Sequence, residues 1–346
     1  MDTSCWPRGR NVKTLNLALQ GGGAHGAFTW GVLDRLLEDG AIAIEAVSGT
    51  SAGAVNGTAL AYGLTVGGRD GAREALTEVW AGIARLAALS PVQPSPLDRM
   101  LGPGRMDTSP GYHLLDFASR LFTPYLYNAL DISPVRQVLA EVVDFDVLRR
   151  CDRVKLFVSA TNVKRGRARV FEVREIGLDA VLASTCLPFL NQAVEIEGEP
   201  YWDGGYTGNP PLAPLIGGAE CRDVLLVQLN PVNIEKTPTT AVEIMDRLNT
   251  LTFNASLMHE MRGLDFAARL LADGIDHGGR LKPLFLHVIE DEALMGRFGV
   301  SSKLNADWAF LTLLRDAGRT ACETWLQDHR QDLGLRSSVD IAERYL

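Results

Sequence analysis

Two glycine-rich turns constrain this chain more than any other feature of its sequence. Gly21-Gly22-Gly23-Ala24-His25-Gly26 follows the strand-like run Lys13–Gln20 (KTLNLALQ). After it comes a helical pattern with Phe28, Val32, Leu33 and Leu36 on one face, ending near Asp39-Gly40. Gly49-Thr50-Ser51-Ala52-Gly53 repeats the arrangement, between a strand pattern at Ile42–Val47 and a helix of small residues reaching about Gly63. Strand, loop and helix twice in succession predict a parallel, doubly wound sheet. Later strand candidates are Val154–Ala160, Arg169–Val173, Val224–Leu229 and Leu284–Ile289. Beyond Asn230 the pattern is mostly helical. Val242–Leu271 carries Ile244, Leu248, Leu251, Met258 and Met261 at helical spacing, and Leu304–Leu326 carries Trp308, Leu311, Leu314 and Trp325. Both stripes are expected to pack on the sheet.

Between Pro91 and Pro134 the character changes. Seven of the 16 prolines fall there, interleaved with Tyr112, Phe117, Phe122, Tyr125 and Tyr127, which excludes a central strand. Two readings stand side by side: a cap with an apolar underside, or a proline-punctuated helical insertion that packs its aromatics on the core.

An apolar fraction of 46% excludes wholesale disorder. The net charge of -8 argues against a nucleic-acid partner, because phosphate neutralisation needs clustered Lys and Arg. It also disfavours broad attraction to anionic lipid, so peripheral membrane contact would rest on apolar residues of 91–134. Cys5, Cys151, Cys186, Cys221 and Cys322 are scattered, with no CxxC pair, and read as reduced thiols. Met1–Asn16 lacks the apolar run of a secretory signal. Thr14–Leu33 and Ala46–Gly68 carry no formal charge, but Gly, Ser, Thr and Asn stud both, and they read as buried core rather than membrane spans. The expected location is cytoplasmic, with peripheral membrane contact.

The first turn satisfies G-x-G-x-x-G and has two chemical readings. As a nucleotide-binding module, the Gly21–Gly26 loop would hold a pyrophosphate at the helix start, with Glu45 as the ribose-binding acid. As an oxyanion loop, successive glycine N–H groups would stabilise the charge of a tetrahedral intermediate. The second turn decides between them. Its G-x-S-x-G, directly after a strand and before a helix, is the context of a nucleophile elbow that projects Ser51 above the sheet. Gly49, Gly53 and Gly57 recur every four residues and leave a smooth helix face. A serine needs a base. Tyr201-Trp202-Asp203-Gly204-Gly205 offers an acid followed by two glycines in a tight turn.

In that order, GGGAHG, GTSAG and DGG resemble the patatin-like phospholipase family. Ala183-Ser184-Thr185-Cys186-Leu187-Pro188 is similar to the Ala-Ser-x-x-x-Pro segment that precedes the family's catalytic aspartate. The resemblance covers about Leu15 to Leu229. It implies a three-layer α/β/α sandwich with a mostly parallel central sheet, and a Ser–Asp dyad that cleaves carboxylic ester bonds of lipids. Ser51 would be the nucleophile and Asp203 the base. Gly21, Gly22 and Gly23 would form the oxyanion hole, with Gly26, Gly49, Gly53, Gly204 and Gly205 supporting the turns. His25 departs from the Arg or Lys more often found there.

The expected organisation is a tail at 1–12, a catalytic domain at 13–230 holding the insertion at 91–134, and a mostly helical C-terminal extension at 231–346. The expected function is a serine acyl hydrolase, of phospholipase A or esterase type, acting on phospholipid or lysophospholipid through an acyl-serine. An acyltransferase using the same acyl-enzyme is the alternative. This chemistry needs no metal or cofactor. A weak base at a normal carboxylate pKa must be helped by burial, so Asp203 is expected to be partly desolvated. A Ser–Asp–His triad is the rival within the class, with His259, His277, His287 and His329 downstream and His287 favoured by its strand pattern.

Overall fold

The computed structural model describes residues 12–102, 104–275 and 283–346. Cys5 and His277 lie outside them. The strands are β1 (Lys13–Leu19), β2 (Ile42–Thr50), β3 (Lys155–Asn162), β4 (Arg167–Glu172), β5 (Val194–Ile196), β6 (Glu199–Asp203), β7 (Asp223–Val227) and β8 (Phe285–Ile289). They form one sheet in the order β5-β6-β3-β2-β1-β7-β8, with β4 also on β3. β8, β7, β1, β2 and β3 run parallel, and β4, β5 and β6 are antiparallel additions. The chain moves from β1 to β2 on one side and returns with β7 on the other. The crevice outside the carboxyl ends of β1 and β7 is therefore the switch point where such sheets place ligands, and the loop after β1 lies at it.

The parallel strands are apolar on both faces because helices cover both. Leu15, Leu17 and Leu19 of β1 and Leu225 and Val227 of β7 enter one core. Ala18, Val224 and Leu226 enter the other. On the first side lie α1 (Gly26–Asp39) and α2 (Ala52–Ala87), and α12 (Trp308–His329) packs on α1. Leu215 of α9 (Ala213–Gly218), Leu257 and Met261 of α10 (Ala241–Ala272) and Tyr345 of α13 (Ile341–Tyr345) close the second core. The result is a three-layer α/β/α sandwich. The C-terminal residues belong to it structurally: β8 pairs with β7, and α12 lies backbone to backbone on α1. A Cβ on Gly31 would come within 1.9 Å of the Arg315 carbonyl oxygen, and one on Gly318 within 2.1 Å of that of Phe28.

Where the described elements differ from expectation, the causes are local. α2 is two helices joined at Gly67 and Gly68, the latter at φ 62°: the first ends a few residues past Gly63, close to where the sequence places it, and a second, unexpected helix continues to Ala87. The β5–β6 hairpin is too short, and carries Pro200, for alternation to reveal it. The 91–134 segment folds into α3 (Pro96–Leu101), α4 (Pro110–Leu121) and α5 (Pro124–Tyr127), with α6 (Pro134–Val142) at its end. α7 (Phe145–Leu148), α8 (Leu178–Ser184) and α11 (Glu292–Met295) are short connecting helices.

The prolines of α3 to α6 are helix starters. Each follows a Ser or Thr, and the Ser95, Ser109 and Ser133 hydroxyls cap their helices. The aromatics, however, do not pack on the core. No residue of α4 is buried, and Phe117, Phe122 and Tyr125 are all more than half exposed.

Candidate active site

Strand register brings the serine and the aspartate together. β4 occupies one edge of β3 across Phe157–Asn162, so β2 and β6 share the other edge. β2 ends with Thr50 opposite Ser159, and β6 ends with Asp203 opposite Ala160, the next position along. Ser51 leaves β2 where Asp203 leaves β6.

Ser51 sits at φ 55° and ψ -122°, a left-handed conformation that a serine adopts only when its surroundings impose it. Its N–H donates to Ser184 Oγ at 2.9 Å, and its carbonyl accepts from Val55 N–H at 3.1 Å to start α2. Thr50 Oγ1 donates to the Gly208 carbonyl at 2.7 Å, tying the elbow to the segment after Asp203. Gly21 passes so close that a Cβ there would lie 2.7 Å from Ser51 Cβ. Gly49, Gly53 and Gly204 sit equally tightly against Gly53, Leu19 and Ser159 backbone. Ser51 remains partly accessible, whereas Asp203 is fully buried.

Burial dominates the electrostatics of Asp203 and pushes its pKa up to about 7. Hydrogen bonds from Gly205 N–H (2.7 Å to Oδ1) and the Ser51 side chain, and the positive charge of Lys303, pull in the opposite direction without prevailing. Oδ2 is buried with no partner of good hydrogen-bond geometry. Asp203 N–H donates to the Cys186 carbonyl at 2.7 Å, and Thr161 Oγ1 donates to the Asp203 carbonyl at 2.8 Å, so the turn is held from both sides.

The glycine loop carries two uncommitted donors rather than three. Gly21 N–H is already given to Asn209 Oδ1 at 2.7 Å. The Gly21 carbonyl accepts from Asn230 Nδ2 at 3.0 Å, and the Gly22 carbonyl accepts from His25 N–H at 3.2 Å to open the turn into α1. Among the described residues no acceptor takes the Gly22 or Gly23 N–H. Gly26 lets the start of α1 lie against Ala52, and Gly205 abuts Phe253.

The remaining candidates are engaged elsewhere. His25 is buried, shares a 2.7 Å hydrogen bond with Ser302 Oγ and packs on Phe298 and Phe310. Burial, then Lys303, lowers its pKa to about 3, so it is neutral and offers the loop no cation. His287 is buried on Asp223 (Nε2 to Oδ1, 3.0 Å) against Trp325, and His329 pairs with Asp332. His259 is exposed on α10. None of these three contacts Ser51 or Asp203. Glu45, the acid expected to hold a ribose, lies inside β2 and accepts from Glu220 and Cys221 N–H and from Lys155. Burial alone would raise its pKa, but those contacts hold it below the usual value. Among the described residues no cluster of three or more His, Cys, Asp or Glu is arranged to hold a metal. No helix there is long and apolar enough to cross a membrane.

Comparison with known families decides what this arrangement belongs to. The Patatin model, described as patatin-like phospholipase, matches residues 17–216, more than half of the chain. The chain belongs to the patatin-like phospholipase family.

Among solved structures it is similar to VipD from Legionella pneumophila, at 15% identity over 88% of this chain and 67% of that one, with a TM-score of 0.38. It is also similar to the ExoU–SpcU complex from the type III secretion system of Pseudomonas aeruginosa, at 13% identity over 91% and 52%, with a TM-score of 0.32. The type III effector protein ExoU matches at 15% identity over 92% and 63%, with a TM-score of 0.29. The chain spans about half to two thirds of the length of these proteins. No curated protein matches it.

Four residues that the fold brings to the elbow and the glycine loop are not marked by local sequence. Ser184 lies inside the Ala183–Pro188 segment, whose pattern assigns it no task, and Asn209 follows the Asp-Gly-Gly turn at a distance no simple pattern flags. Asn230 and Lys303 come from beyond β7 and from the C-terminal segment, where nothing in the sequence marks them.

Proposed function

We propose that this chain is a serine acyl hydrolase that cleaves carboxylic ester bonds of lipids, phospholipid or lysophospholipid, through a Ser51–Asp203 dyad. The observation that carries the reading is the buried Asp203 carboxyl. It lies beside a strained serine, has one oxygen without a good partner and has its pKa pushed up to about 7. A carboxylate of ordinary basicity is a poor base toward a hydroxyl, and burial brings this one close to neutral pH.

In the proposed cycle Asp203 takes the Ser51 proton while Oγ bonds to the ester carbonyl carbon. The Gly22 and Gly23 N–H groups stabilise the oxyanion, each worth about 3 kcal/mol. The tetrahedral intermediate collapses, the C–O bond to the alcohol breaks, and the alcohol leaves with the proton held by Asp203. Water then gives a proton to Asp203 and attacks the acyl-serine. The acid departs and Ser51 regains its proton. The partner is a lipid at a surface. Leu114, Phe117 and Leu121 form one exposed stripe on α4, and Val242, Met245, Leu248 and Leu251 another on α10. Such stripes suit contact with lipid.

Incubating the protein with mixed phospholipid and lysophospholipid vesicles and measuring released fatty acid tests the proposal. Wild type is expected to release acid and Ser51→Ala to fall to background. Equal release by both proteins would remove Ser51 from the mechanism.

A further inference from the structure

The glycine loop lacks a cation at His25, yet a lysine from far along the chain reaches the same loop. Lys303 sits in the 3-10 turn Val300–Leu304. Its backbone lies directly against Gly23, where a Cβ would come within 2.4 Å of the Lys303 carbonyl oxygen; Gly23, at φ 59°, has none. Its ammonium donates to Asn230 Oδ1 at 2.9 Å and to Asn249 Oδ1 at 3.2 Å, and lies 5.6 Å from the centroid of the Phe253 ring. Asn230 in turn donates through Nδ2 to the Gly21 carbonyl. That carbonyl and the uncommitted Gly22 N–H are the two ends of one peptide group. A donor on the oxygen fixes the plane of the peptide and polarises its N–H, strengthening it toward a developing oxyanion.

We propose that Lys303 is a positioning residue for the glycine loop: it anchors Asn230, which holds the Gly21–Gly22 peptide, and its positive charge acts on Asp203. The inference rests on the dyad reading above. Polar neighbours make the arrangement specific. Gln20 Oε1 accepts from Leu229 N–H, Asn230 N–H and Asn230 Nδ2, and Asn254 Nδ2 donates to the Asn230 carbonyl. Asn230 is therefore gripped on its side chain and on both backbone groups. A buried network this fully satisfied holds one orientation.

The charge has a second effect, because the positive charge of Lys303 draws the Asp203 pKa down against burial. Lys303 itself is lowered to about 8 by burial, with Asp246 and Asp203 opposing. The other titratable groups around the pair are silent near neutral pH or act through Lys303. His25 stays neutral, and burial pushes the Cys186 and Tyr206 pKa values up to about 12. Asp246 faces Lys303 from α10, with Asp107 beyond it.

Steady-state kinetics on a soluble monomeric ester, measured across pH, tests this in the full-length protein. The activity limb set by ionisation of Asp203 should move up by about one pH unit in Lys303→Met and in Lys303→Gln, and stay in place in Lys303→Arg. Lys303→Met should also lose about tenfold to a hundredfold in kcat with little change in KM, having lost the anchor on Asn230. Lys303→Gln keeps an amide donor without the charge, and carries the test if Lys303→Met does not fold by circular dichroism. A limb that stays at its wild-type pH in the neutral variants overturns the proposal whatever happens to kcat, because a merely structural lysine would not move it. Wild type without Ser51-dependent turnover would instead remove the dyad itself.

Discussion

At the residue scale, the role proposed for Asp203 carries a stability cost. Its carboxyl titrates near 3.8 when solvated and at about 7 in the fold. The folded state therefore holds the proton more tightly, and stability falls as pH rises through that window. Asp203→Asn removes the charge and keeps an acceptor for Gly205 N–H. Its melting temperature should exceed that of wild type by a margin that widens from about pH 4 to pH 7 and then levels off, while turnover falls about a thousandfold or more. A margin that is flat with pH would mean that Asp203 titrates normally. The two residues of the proposed dyad, Ser51 and Asp203, stand out in the sequence because a nucleophile elbow and an Asp-Gly-Gly turn are local patterns. The commitment of Gly21 N–H to Asn209, and the hold of Lys303 on Asn230, were not. Both depend on contacts between segments far apart in sequence, which local spacing does not encode.

At the scale of elements, the 91–134 insertion shows where pattern reading stops. Proline density excluded a strand correctly, and Ser-Pro and Thr-Pro steps mark helix starts on physical grounds. What the pattern could not give was the direction of the apolar faces, since an amphipathic helix looks the same whether its stripe meets a core or a lipid. Leu114, Phe117 and Leu121 are at least 60% exposed, so replacing them costs the fold little. Phe117→Glu with Leu121→Glu should reduce acid release from vesicles about tenfold or more, leaving hydrolysis of a monomeric ester and the melting temperature near wild type. Equal loss on both substrates would place these residues in the chemistry or the fold rather than at a lipid surface. The short β5–β6 hairpin is the other lesson. Too brief to show alternation, it still sets the register that delivers Asp203 to Ser51.

For the whole molecule, the sheet was predictable because five parallel strands buried on both faces produce near-continuous apolar runs between helical stretches. Less visible was how much the C-terminal residues contribute to the same unit: the edge strand β8, the helix α12 packed on α1 through Gly31 and Gly318, and Lys303 beside the glycine loop. The sandwich, the elbow and the buried base all serve one claim, that Ser51 is an activated nucleophile with Asp203 as its base. Labelling by a fluorophosphonate probe, read by intact mass and peptide mapping across pH, measures this most directly. The account predicts one adduct on Ser51 of the wild type, with a rate that rises through about pH 7, no adduct on Ser51→Ala and a labelling rate cut by orders of magnitude in Asp203→Asn. An unlabelled wild type, or Asp203→Asn labelled at the wild-type rate, would contradict it.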